Sequence, residues 1–237
     1  MSRRTRSSFP IFLQASFALV MVLLATSARP IHAEGFALPD MGSSADTIMS
    51  VAEQRDLGQE FMKWVRKTQT VNTDPLMTDY IQTLGRSLVE SAGENPAQYD
   101  FFLIEDGGIN AFAGPAGNIG VNSGLILAAE TEAELAAVVA HEIAHVSQKH
   151  LLRRFEAQQR MAAPTMAMML AAVVLGATVD GDAGMAALAG AQGLAVQQQL
   201  NFSRANEEEA DRIGIEALAQ SGHDPFAMPG FFDKLSR

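Results

Sequence analysis

Between residue 50 and residue 93, apolar positions recur twice at helical spacing. "SVAEQRDLGQEFMKWVRKT" (Ser50 to Thr68) and "DPLMTDYIQTLGRSLVESAG" (Asp74 to Gly93) predict two amphipathic helices. The pattern then changes. "YDFFLIED" and "NIGVNSGLIL", bounded by Gly, Pro and Asn, predict short strands joined by the turn-rich "GGINAFAGPAG". Helical spacing returns at Thr131, where Thr131 and Glu134 have the spacing of a capping box, and it continues to about Arg160. Met161 to Val179 carries no charge and by hydropathy alone is a candidate membrane span. Pro164, the weakly hydrophobic alanines and the abrupt "DGDAG" stand against a span, and a second Ala/Gly-rich run, Met185 to Val196, leads back to polar sequence. The preferred expectation is a buried or surface-associated helical hairpin, with a membrane-contacting hairpin and a true span as alternatives. "SRANEEEADRIGIEALAQSG" (Ser203 to Gly222) predicts a helix ended by Gly222, and "DPFAMPGFFDKLSR" predicts the start of a short final helix. The fold class is α+β, mainly helical, with a small sheet; no repeat of period 20 to 50 is visible.

The front of the chain is different. Arg3, Arg4 and Arg6 precede the apolar run Ile11 to Ala25, and Ala33 offers a cleavage site, the three-part layout of a signal peptide over residues 1 to 33. An uncleaved anchor helix is the alternative, but the run is short for a bilayer. Residues 34 to 50 read as a loosely held extension, and residues 51 to 237 as one domain, expected in the periplasm or at a membrane surface. The 237 residues are 48% hydrophobic, enough for a sizeable core. Removing residues 1 to 33 takes away four arginines and no acid, leaving 13 basic residues against 27 acidic and a net charge of −14. Nucleic acid is excluded as a partner on that charge. Without cysteine there is no disulfide, thiolate ligand or cysteine nucleophile, so a metal would have to be held by His and carboxylates.

One polar cluster interrupts the apolar helix that starts near Thr131. His141, Glu142 and His145 form His-Glu-x-x-His, which puts two imidazoles one turn apart on a helix face. Such a pair binds Zn²⁺ through neutral ring nitrogens, and the Glu after the first ligand is placed to act as general base toward water. A third ligand is needed. Gln148 and Leu151 occupy the positions where a metzincin has Gly and His, and His150, nine residues after His141, falls on the opposite side of a continuous helix, which makes it structural or exposed. A carboxylate from another helix remains, and "NEEEAD" is the acidic cluster on a downstream helix. A zinc-binding histidine normally donates its other N–H to a carboxylate, so a ligand and an orienting Asp should share a face. Glu207 and Glu208 both satisfy this with Asp211; Glu209 points elsewhere and reads as solvated.

"HEIAHVSQKH" together with "SRANEEEADRIG" and "NAFAGPAGNIGVNSGLI" resembles the HtpX and CAAX-prenyl-protease type of zinc metallopeptidases, and within it the soluble periplasmic, BepA-like branch. The resemblance runs from about Glu53 to the last residue. It implies a zincin-like (gluzincin) domain with the sheet beside the His-Glu-x-x-His helix, and one Zn²⁺ per chain held by His141, His145 and Glu207. Asp211 would stand behind the ligands and Glu142 would be catalytic. It also implies an edge strand from Asn110 to Val121, including Ala111, Phe112 and Gly120, on which a substrate peptide would lie by strand addition. The implied activity is endoproteolysis of misfolded or misassembled envelope proteins, outer-membrane proteins among them, with the outer-membrane assembly machinery as a partner. An envelope chaperone with rare proteolysis and a membrane-integral protease are the rivals. Members of that branch continue into a His-Pro loop that reaches the metal and then into TPR repeats. The sequence ends at Arg237 before either, so the expectation is a shortened domain with incomplete regulation and incomplete transition-state stabilisation.

Overall fold

The computed structural model describes residues 49–178 and 181–235; the expected signal peptide and most of the expected extension lie outside the described residues. The first two helices form as the periodicity predicts. Helix α1 (Val51–Thr68) starts at a complete capping box between Ser50 and Glu53 and buries Met62 and Val65. Helix α2 (Pro75–Ser91) is capped by Asp74 with Pro75 in its first turn, and its buried positions Ile81, Leu84 and Leu88 repeat every three or four residues.

Three strands follow, β1 (Asp100–Ile104), β2 (Ala111–Ala113) and β3 (Asn118–Asn122), in the spatial order β1-β3-β2. β1 pairs parallel to β3, and β2 folds back antiparallel on its other side through the turn at Pro115–Gly117. β2 was not separated from the turn-rich connection by its sequence, because three small or aromatic residues among glycines carry no strand period. The strand expected to run on through "SGLIL" stops at Asn122 and gives way to helix α3 (Ser123–Ala128). Ser123 Oγ and the Gly124 N–H both donate to the Asp106 carbonyl, which turns the chain out of the sheet.

Helix α4 (Glu132–Ser147) runs through the centre of the domain, with Leu135 to His141, Ile143 and Ala144 buried. Its cap is half of the expected box. Thr131 Oγ1 accepts from the Glu134 N–H, but the Glu134 carboxylate takes the Glu130 N–H instead of returning to Thr131. The core joins α4 to α2, β1, β3 and helix α7 (Ala227–Leu235) through Leu88, Phe101, Ile119, Val139, Ile143, Met228 and Phe231.

Continuity to Arg160 is corrected. Lys149 adopts φ +54°, a left-handed conformation rare outside glycine, so α4 ends at Ser147 and a new helix, α5 (His150–Thr178), sets off in another direction. Pro164 lies inside α5 without ending it. The two segments expected after the hairpin turn are instead one helix, α6 (Gly181–Gln220), 40 residues and about 60 Å long. α5 and α6 form the expected hairpin, but it is not buried. His150–Ala177 is long and apolar enough to cross a membrane by length and composition; an 18-residue window within it has a mean hydropathy of 1.5, and 6% of that window is buried. Met166, Leu170, Val173, Leu194 and Val196 are exposed.

Candidate metal centre

The base of α6 lies unusually close to α4. A Cβ added at Gly214 would stand 3.1 Å from both N and Cα of His141 and 2.9 Å from Met228 Cε, so only a residue without a side chain fits there unstrained. That approach brings "NEEEAD" to the His-Glu-x-x-His face. His141 Nε2 and His145 Nε2 are 3.0 Å apart. Glu207 Oε2 is 3.3 Å from the first and 3.6 Å from the second. Of the two acids left open by spacing, both exposed, Glu207 is the one whose carboxylate stands with the histidines. Asp211 Oδ1 lies 2.8 Å from His141 Nδ1, although the ring N–H points off the line to the oxygen.

Three donors this close fit a tetrahedral metal ion. Zinc binds imidazole nitrogen and carboxylate oxygen at about 2.0–2.2 Å, and donors at that distance in tetrahedral array stand about 3.3 Å apart. Burial, followed by the neighbouring His141, holds the His145 imidazole well below its ordinary pKa, against the pull of Glu207. It is therefore neutral near pH 7, the form that binds a metal.

Glu142 turns to the sheet side of α4. Burial raises its carboxyl above the usual range; His141 and the Ala113 backbone N–H draw it back down, and Glu207 adds to the rise. The contact with Ala113 shows how near β2 comes to this carboxyl. In the β2–β3 ladder Gly114 N donates to Asn118 O and Asn122 N to Asn110 O. Since antiparallel pairs alternate, the backbone groups of Ala111 and Ala113 face away from β3. The edge is therefore β2 alone, which corrects the expected span. Gly120 and Val121 lie in the central strand, Gly120 between Phe102 and Phe112, Val121 between Leu103 and Ala111. Phe112 packs its ring against Phe61 and Phe102. Asn110, Ala111 and Ala113 line clefts that also contain Glu142. The larger, between β2, the Pro115–Gly117 turn and the hairpin, measures about 1950 Å³. Small-molecule pockets are roughly 300–1,000 Å³, so this one has room for a polypeptide segment.

Two residues set aside on the sequence meet at this centre. His150 is buried, with Nδ1 2.8 Å from His145 Nδ1, and Glu209 accepts from Arg153 at 2.7 Å and faces His150 Nε2 at 3.1 Å. The structure keeps the structural alternative for His150 and removes the exposed one, and it gives Glu209 partners in place of solvent, for one reason: a helical wheel drawn through residue 149 misplaces His150. Only a break between "HVSQ" and "HLLRR" would have shown it, and no Gly or Pro marks one.

The model of peptidase family M48 matches residues 75–235, which span the sheet, α4, the hairpin and α7. The chain belongs to peptidase family M48. Among similar M48 proteins, the beta-barrel assembly-enhancing protease of Escherichia coli is 41% identical over 230 residues, 95% of this chain and 47% of its own length. The putative beta-barrel assembly-enhancing protease of Vibrio cholerae is 40% identical over 220 residues, 92% of this chain and 45% of its own. The metalloprotease LoiP of Escherichia coli is 31% identical over 157 residues, 66% of this chain and 58% of its own. The chain thus spans about half the length of the curated relatives it matches. M48 peptidases are metal-dependent, and His141, His145 and Glu207 supply a donor group that could hold a metal ion in this chain.

Proposed function

We propose that the chain is the catalytic domain of a zinc-dependent endopeptidase of the cell envelope that acts on unfolded or misassembled proteins. The observation that carries this is the group His141 Nε2, His145 Nε2 and Glu207 Oε2, brought together from two helices beside Glu142 and an open strand edge. These three residues would hold one Zn²⁺ per chain. When bound, the ion supplies Lewis-acid chemistry, making water a nucleophile near neutral pH and polarising a peptide carbonyl. Glu142 takes the proton from the attacking water on its carboxylate and passes it to the leaving amine. Burial, which raises its pKa, favours the first of these steps, since a more basic carboxylate takes a proton more readily. Asp211, whose carboxylate lies 2.8 Å from His141 Nδ1, stands where it can orient that ligand. A substrate segment adds to the β2 edge at Ala111 and at the Ala113 carbonyl, the Ala113 N–H being turned to Glu142. Pairing of that kind reads backbone and tolerates many side chains, which suits unfolded clients.

The names of the similar proteins support an envelope role and make outer-membrane proteins in assembly the preferred clients, in the periplasm. The exposed apolar face of α5 and α6 beside the cleft supports peripheral contact with a membrane or with an unfolded client. The same face favours a second reading, a chaperone in which hydrolysis is rare. One substitution separates them. Glu142→Gln should abolish cleavage of an unfolded protein such as casein, by about 10²–10⁴-fold, while retaining its zinc. Client rescue that survives Glu142→Gln would replace the peptidase reading with the chaperone.

A further inference from the structure

Behind His145 three side chains follow one another on a single path, and none belongs to the donor group itself. His145 Nδ1 lies 2.8 Å from His150 Nδ1, His150 Nε2 lies 3.1 Å from Glu209 Oε2, and Arg153 Nη1 donates to that same oxygen at 2.7 Å. His150 is 5% exposed, so water does not substitute for these partners.

Two imidazole nitrogens 2.8 Å apart make a hydrogen bond only if one carries a hydrogen and the other a lone pair. The far end of the path decides which. A carboxylate only accepts, so His150 Nε2, facing Glu209, carries the hydrogen. A neutral imidazole has a single N–H, which leaves a lone pair on His150 Nδ1. His145 Nδ1 must then be the donor, and His145 Nε2 keeps its lone pair. That is the atom 3.0 Å from His141 Nε2 and 3.6 Å from Glu207 Oε2.

We propose that His150, Glu209 and Arg153 are positioning residues that hold His145 in its Nδ1–H tautomer and so keep Nε2 free for a metal ion. Glu209 sets the direction of the hydrogens, His150 transmits it, and Arg153 anchors Glu209. The two ligating histidines are thereby backed in different ways, His141 by one carboxylate directly and His145 by a carboxylate acting through a second imidazole. The left-handed Lys149 makes this arrangement reachable. In an unbroken helix residue 150 would sit about 140° around the axis from residue 145.

The inference rests on the metal-site reading, and the test separates the two. A long-range ¹H–¹⁵N spectrum of the ¹⁵N-labelled chain, without metal and loaded with zinc, should show His145 protonated at Nδ1 and His150 at Nε2 in both. His145 protonated at Nε2, or His150 at Nδ1, would overturn the relay without any variant having to fold. Chelator competition with zinc should show His150→Phe and Glu209→Ala weakened by about 10–100-fold. Glu209→Gln, whose amide oxygen still accepts from His150, should recover part of that loss, and Glu208→Ala should match wild type. A wild-type chain that takes up no zinc sinks the metal site and the relay together. Wild-type affinity in a folded His150→Phe chain sinks the relay alone.

Discussion

The tetrapeptide Ala-Ala-Val-Val occurs twice in this chain, and its two copies meet opposite fates. At residues 136–139, on α4, it is at most 7% exposed throughout. At residues 171–174, on α5, Val173 is 58% and Val174 60% exposed. Both copies are helical, so the local sequence decides the secondary structure and the surroundings decide the burial. α4 is enclosed by α2, the sheet, α6 and α7; α5 has chiefly α6 beside it. Small side chains on α4 let four elements come close to the residues on either side of the His-Glu-x-x-His face. On the hairpin Ala172 is covered, at 3% exposed, and the two valines leave an apolar surface facing outward.

The comparison is easiest to break with a charge. Val139→Asp would bury an unpaired carboxylate and should cost roughly 4 kcal/mol or more, while Val173→Asp should change stability by less than about 0.5 kcal/mol. Urea unfolding of the two variants measures the difference, and similar losses would show that the hairpin is as tightly enclosed as the core. A smaller effect separates the two ends of α6. Gly214→Val drives a side chain into the His141 backbone and should cost about 1–3 kcal/mol, with zinc affinity falling as the two helices part. Gly190 has nothing within 4 Å of an added Cβ, so Gly190→Ala should stabilise the helix by about 0.4–1 kcal/mol, read as a rise in Tm. Destabilisation at Gly190 would mean that the hairpin packs against more than its own two helices.

The legible part of this molecule was whatever depends on short-range pattern. Ser50, Asp74 and Thr131 announce helix starts because a side-chain oxygen answers an amide three residues on or nearer, and the four-residue spacing of His141 and His145 places both rings on one face. Membership of a metallopeptidase family was legible too, since the resemblance rests on three short motifs in order. Departures begin where distant groups decide. The three-residue strand β2 exists because β3 pairs with it, and the turn at Ser123–Gly124 exists because Asp106 receives both donors. The break at Lys149, unmarked by Gly or Pro, changed the meaning of His150 and Glu209 at once. Whether the hairpin is buried or lies on the surface was left open for the reason its tetrapeptide shows: hydropathy states what a segment would bury, not whether anything arrives to cover it.

The central claim is that two helices close one metal site from His141, His145 and Glu207, and metal content by mass spectrometry tests it most directly. The chain purified with zinc should carry one ion, with large losses in His141→Ala, His145→Ala and Glu207→Ala and full occupancy in Glu142→Gln and Glu208→Ala. Undiminished zinc in Glu207→Ala, or a loss in Glu208→Ala equal to that of the histidine variants, would contradict it.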